Sequence, residues 1–110
     1  MNTMTIDGLK AIITFDEDTR MLRGEFLGLT GGADFYANSV DGLLREGRAS
    51  LREFLRTCEE NGIEPYRSFS GKFNVRIPEA LHAEAVQTAA ARGISLNDLV
   101  REAIAHEVVI

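Results

Sequence analysis

The chain has 110 residues, a net charge of −5, 45% hydrophobic and 26% charged residues, and a single cysteine. That size allows one ordinary domain or two very small ones, and the balance of apolar and charged residues excludes a disordered chain. An internal disulfide is excluded, a membrane span of about 20 apolar residues is absent, and the acidic balance argues against a general nucleic-acid binder.

The charge is uneven. Residues 1–65 carry seven Lys and Arg against twelve Asp and Glu, whereas residues 66–110 carry five of each. A DNA-binding function in the second part therefore needs its cations gathered on one face. Met1 to Ile13 has neither a basic start nor a long apolar run, so no secretory leader is expected and the location is expected to be cytoplasmic.

In chain order, Leu9 to Phe15 is the first β-branched and apolar run, and Asp16-Glu17-Asp18-Thr19 is a turn. Met21 to Leu29 is a second run in which Arg23 and Glu25 alternate with Leu22, Gly24 and Phe26, so the two runs read as a hairpin. After Thr30-Gly31-Gly32, Ala33 to Ala37 is expected as a short third strand with Phe35 and Tyr36 on opposite faces. Ser39 is placed to cap a helix whose apolar positions are Val40, Leu43, Leu44, Gly47, Leu51, Phe54, Leu55 and Cys58. Gly62 is placed to end it in a left-handed conformation. Cys58 is expected as a buried structural thiol. A further short strand at Ile63–Tyr66 is compatible with the pattern. The first domain, residues 1–65, is thus expected as β-β-β-α, followed by a linker over 66–71.

Residues 72–110 read as strand, helix, turn, helix. In Lys72 to Pro78 the residues Phe73, Val75 and Ile77 point one way, and Lys72, Asn74 and Arg76 the other. Pro78 suits the opening of a helix from about Glu79 to Arg92, with Leu81, Ala85 and Ala89 inward. Gly93 ends it. Ser95 caps a second helix striped by Leu96, Leu99, Val100, Ala103 and Ile104, with Asp98 in a near-capping-box position.

A lone strand with a wet face is unstable, so two copies are expected to pair it into a two-stranded ribbon. Such a ribbon fits the major groove, where Arg matches guanine edges and Asn adenine edges. The backbone N–H groups opening the second helix offer a phosphate site. The expected base-reading residues are therefore Lys72, Asn74 and Arg76, and the expected phosphate-binding residues Ser95, Leu96 and Asn97.

Lys72-Phe73-Asn74-Val75-Arg76-Ile77-Pro78, the helix after it, and Gly93-Ile94-Ser95-Leu96-Asn97 resemble the ribbon-helix-helix repressors, β-ribbon readers of DNA. Over residues 5–107 the chain resembles the HicB-family antitoxins, most specifically in Asn61-Gly62-Ile63-Glu64-Pro65 and Ser68-Phe69-Ser70-Gly71-Lys72-Phe73-Asn74. The resemblance implies an α+β protein with a reduced ribonuclease-H-like first domain that binds and blocks a HicA toxin, a small messenger-RNA interferase. It also implies a ribbon-helix-helix second domain that represses the operon by binding its operator. The implied partners are a HicA-type toxin, operator DNA and a second copy of the chain, with tetramers or larger assemblies left open.

A ribonuclease-H-like domain raises catalysis, which needs carboxylates converging on two metals. Asp16, Glu17 and Asp18 are consecutive in a turn and point in different directions. His82 and His106 lie apart from any ligand cluster. No catalytic residue, metal or cofactor is expected. The acidic turn Asp16, Glu17 and Asp18 and the charged face of the first helix are the expected contact for a basic ribonuclease. Two other readings share parts of this pattern. One is a free-standing repressor whose first domain oligomerises or senses a ligand; the other is a metal-dependent nuclease.

Overall fold

The computed structural model describes residues 2–108 and divides into two units, Met1–Ser70 and Gly71–Ile110. The first unit holds strands β1 (Asn2–Ile6), β2 (Leu9–Asp16), β3 (Met21–Phe26) and β4 (Phe35–Ala37) and helix α1 (Val40–Asn61). The second holds α2 (Glu79–Arg92) and α3 (Leu96–Val108). The fold is α+β, with a four-stranded antiparallel sheet in the order β1-β2-β3-β4.

The expected three-strand sheet is corrected to four: a strand precedes Leu9. It is joined to β2 by the two-residue turn Asp7-Gly8, both at positive φ (50° and 85°). Such a turn matches the right-handed twist of the strands it joins, which is why Asp-Gly is a strong hairpin signal. The turn closes the pair Ile6–Leu9 and sets the register Met4–Ala11 and Asn2–Ile13. The second expected run stops as a strand at Phe26, although Leu27 still donates its N–H to the Lys10 carbonyl at 2.9 Å.

Paired residues share a face, so the register divides the sheet cleanly. Met4, Ile6, Ala11, Ile13, Leu22, Gly24, Phe26, Phe35 and Ala37 form the side that packs with α1. Thr3, Thr5, Lys10, Ile12, Thr14, Arg23, Glu25 and Tyr36 lie on the other side. Phe35 is buried and Tyr36 exposed, as their alternation requires.

Helix α1 starts and stops where its local chemistry dictates. Ser39 is extended (φ −147°, ψ 164°) and its Oγ accepts from the Gly42 N–H at 3.0 Å. Gly62 is left-handed (φ 65°), and Ile63 donates its N–H to the Cys58 carbonyl at 2.9 Å. Leu43, Gly47, Leu51 and Cys58 are buried. Val40 departs from the expected stripe and is exposed; in the first turn it is Gly42 that lies against the buried Ala37.

The centre of this core is a ring held between two glycines. A Cβ on Gly24 would lie 2.1 Å from Phe35 Cζ, and one on Gly47 would lie 2.5 Å from Ile6 Cδ1 and 3.1 Å from Phe35 Cε2. Phe26 packs against the same ring with centroids 5.1 Å apart. Sheet and helix therefore approach closely because both present bare backbone at the same place.

After α1 the chain returns to the sheet. Tyr66 makes an isolated bridge with Leu29, Thr30 donates its N–H to the Pro65 carbonyl, and Arg67 donates to the Gly28 carbonyl. The Thr30 hydroxyl also donates to the Glu64 carbonyl at 2.7 Å. The expected strand at Ile63–Tyr66 is thus reduced to one bridge, and the first unit reaches Ser70. Residues 66–67, expected at the start of a linker, are hydrogen-bonded into this unit.

Candidate nucleic-acid interface

The second unit is built from two helices and the segment that leads into them. Pro78 opens α2 with φ −57° and ψ 144°; it has no N–H to leave unsatisfied there. Gly93 (φ 70°) ends α2, with Gly93 N–H to the Ala90 carbonyl at 3.1 Å and Ile94 N–H to the Ala89 carbonyl at 3.0 Å. This paired pattern closes the orphan carbonyls of a helix end. Two residues later the Ser95 Oγ accepts from the Asp98 N–H at 3.0 Å, and α3 begins. Arg92 and Glu102 join the two helices through an ion pair at 2.8 Å.

The unit barely has a core. Among its described residues Ala89 alone is buried. Phe73 is 68% exposed, Val75 60% and Ile77 41%, and Leu81, Val86, Val100 and Ile104 are also exposed. The residues 72–78 form no strand within the single chain. Both rows of that segment are solvent-exposed, the apolar as well as the polar.

The expected DNA residues are brought together in part. A hollow of about 560 Å³ lies between the segment and α3, lined by Lys72, Asn74, Asn97, Val100, Arg101 and Ile104 among others. It gathers two expected base readers, Lys72 and Asn74, beside one expected phosphate ligand, Asn97. Arg76 is not part of that hollow. It is exposed and has no ion-pair partner among the described residues, so its charge is available. Ser95 is engaged as the α3 cap and Leu96 is half-buried.

Arg101 was not expected from the sequence. It lies one helical turn beyond Asn97, which puts both on the same side of α3. Its guanidinium pairs with Asp98 at 3.4 Å while lining the hollow with Lys72 and Asn74. The spacing from Asn97 is the signal that could have found it.

The acidic turn belongs to the first unit. Asp16 ends β2 and accepts from the Thr19 hydroxyl at 2.7 Å. That hydrogen bond is the main reason its carboxyl titrates below the ordinary range, with backbone N–H groups of Asp18 and Thr19 and the charge of Arg23 adding to it. A lowered carboxyl favours the fold above its ordinary pKa, and this contribution fades as pH falls through the lowered value. Glu17 and Asp18 are exposed in the turn. Arg23 is held by Asp34 and lies near Glu25. Among the described residues no three His, Cys, Asp or Glu side chains gather at metal-binding distance. No helix among them is long and apolar enough to cross a membrane.

The fold defines a small α+β protein whose second unit is a pair of capped helices behind an exposed alternating segment. Residues 54–104 match the model of the HicB family. The match runs from the second half of α1 through both helices of the second unit, narrower than the resemblance seen over residues 5–107. Comparison with curated proteins gave no match, and neither did comparison with solved structures.

A base-reading role for Asn74 and Arg76 predicts that Asn74→Ala and Arg76→Ala would each weaken binding to a specific DNA site by about 1–3 kcal/mol at fixed salt, read in a gel shift. A residue that touched only phosphate would weaken all sequences alike. Operator binding unchanged by both substitutions would remove the assignment.

Proposed function

We propose that the chain is a HicB-type antitoxin that binds and blocks a HicA-type messenger-RNA interferase and represses its own operon by binding operator DNA as a dimer. The observation that carries this reading is the family match, which covers the connector and the two-helix unit together. The exposed row Lys72, Asn74 and Arg76 supports the DNA half of the function, and Ser95, Leu96 and Asn97 supply the helix entrance for phosphate. The bare row Phe73, Val75 and Ile77 supports the dimer, because a second ribbon strand would cover it.

The toxin half rests on the first unit, whose net acidity suits a ribonuclease that must present cations to RNA. Asp16, Glu17 and Asp18 are the assigned contact. In this reading the protein is no enzyme, needs no metal or cofactor, and works in the cytoplasm.

Co-expression with the small basic ribonuclease encoded beside it is the direct test. Growth rescue and a complex that survives pull-down are expected. Neither rescue nor complex would sink the proposal, and a ligand-dependent change in DNA affinity without a protein partner would replace it with a free-standing repressor.

A further inference from the structure

The sheet has two edges, and only one is guarded. β4 is a three-residue strand, Phe35–Ala37, too short to template much pairing. β1 is five residues, Asn-Thr-Met-Thr-Ile, without a charge or a proline. Edge strands are normally blunted by one of these devices, by a bulge or by brevity. The β1–β2 register runs without interruption from Asn2–Ile13 to Ile6–Leu9, so no bulge bends it away.

The direction of the unused groups follows from one hydrogen bond. The Lys10 carbonyl accepts from the Leu27 N–H, so the main chain of Lys10 faces β3. Alternation then turns the main chains of Leu9, Ala11 and Ile13 toward β1. Their register partners Ile6, Met4 and Asn2 spend their own groups on β2. Thr3 and Thr5 are left to present N–H and C=O outward from the sheet.

Thr3 and Thr5 stand symmetrically about Met4. A two-fold axis through Met4 would set Thr3 against Thr5 of a second copy, and Thr5 against Thr3. Each such pair would exchange both backbone hydrogen bonds, satisfying every outward group of the two threonines. Their side chains would meet as cross-strand Thr–Thr pairs on the face away from α1, a favoured combination. Met4, half-buried against the core, would meet its own copy on the helix side and extend that core. No like charges would oppose within the strand. Asp7, which follows it, is held by Arg48 at 3.4 Å. A one-residue slip would set the second copy's threonines on the helix side of the first sheet.

We infer that β1 pairs antiparallel with β1 of a second copy of this chain about a two-fold at Met4, joining two sheets edge to edge. The interface is independent of the ribbon, which would use Lys72 to Pro78 in the other unit.

The test uses the full chain carrying Met4→Cys under mild oxidation. The two Cα atoms of that pair would lie about 4.5 Å apart, within disulfide reach, and a covalent dimer should dominate. Thr3→Cys is the control. Its two copies would be offset along the strands by two residues and separated by about 8 Å from the strand spacings, beyond disulfide reach. The only native thiol, Cys58, is buried, so the unaltered chain is the blank. The Met4→Cys link should persist when Val75→Glu has opened the ribbon, so failure of the ribbon leaves this result readable. In the unaltered chain the amides of Thr3 and Thr5 should exchange with solvent at least tenfold more slowly than free amides. No link through Met4→Cys, equal linking by both cysteines, or free-amide exchange at both threonines would overturn the proposal. So would a Thr3→Pro chain that loses capture of a HicA-type toxin while Met4→Cys forms no link; the edge would then belong to a strand of the toxin.

Discussion

Val75→Glu is expected to abolish operator binding and to convert the second unit from a paired to an unpaired state. Val75 is the middle residue of the row Phe73, Val75 and Ile77, and it is 60% exposed in the single chain. A ribbon of two copies would bury six such side chains, each contributing about 1.5–3 kcal/mol. The gross gain, of order 10 kcal/mol, is the main source of stability open to a unit with one buried residue among those described. Two glutamates at the centre of that layer would face each other in an apolar setting, where an unpaired charge costs several kcal/mol. Helices of 14 and 13 residues are marginal on their own, so α2 and α3 should lose helicity with the dimer.

The expected readings are a weaker helical signal in circular dichroism and operator affinity reduced more than 100-fold. Asn74→Ala is the matched control: it lies on the opposite side of the same segment and should leave helicity unchanged. A Val75→Glu chain that still dimerises through this segment and still binds the operator would remove the shared ribbon.

What could be read from the sequence separates by the range of the interaction involved. The caps were legible because they are local chemistry. Ser39, Gly62, Gly93 and Ser95 each act within four residues, and each stands where the structure uses it. The faces of β2, β3 and β4 were legible from their alternation. β1 was harder because two threonines and an asparagine leave only Met4 and Ile6 as apolar markers. Its better signal was the Asp7-Gly8 turn, which demands a strand on either side. The Gly24–Phe35–Gly47 core could not be read, because it depends on which strand lies beside which and on where the helix crosses. Arg101 was legible by half: its spacing from Asn97 places both on one side of α3, but the packing of α3 beside residues 71–75 is what brings it to Lys72 and Asn74. The residues 72–78 show the opposite limit. Their alternation is plain in the sequence, but within the single chain they form no strand.

Gly24→Ala should be among the most damaging single substitutions in the first unit. The added methyl would fall within 2.1–2.7 Å of three Phe35 ring atoms, far inside van der Waals contact. Overpacked cores relax by moving the intruded side chain, at about 1–3 kcal/mol and sometimes more. Here the ring has little room to move, with Gly47 of α1 on its helix side and Phe26 against it at 5.1 Å. The cost should therefore reach the upper end, about 3 kcal/mol or more, and lower the urea midpoint by about 2 M for a unit of this size. Gly47→Ala provides the contrast. Its nearest obstacle is the Cδ1 end of Ile6 at 2.5 Å, with the Phe35 ring no nearer than 3.1 Å, and alanine regains about 1 kcal/mol of helix propensity. It should destabilise much less. Pairing Gly24→Ala with Phe35→Leu removes the ring that the methyl strikes, so the two substitutions should be strongly non-additive, with the double variant more stable than Gly24→Ala alone. Additive losses, or equal losses at Gly24 and Gly47, would contradict a core in which bare backbone on both layers makes room for a single ring.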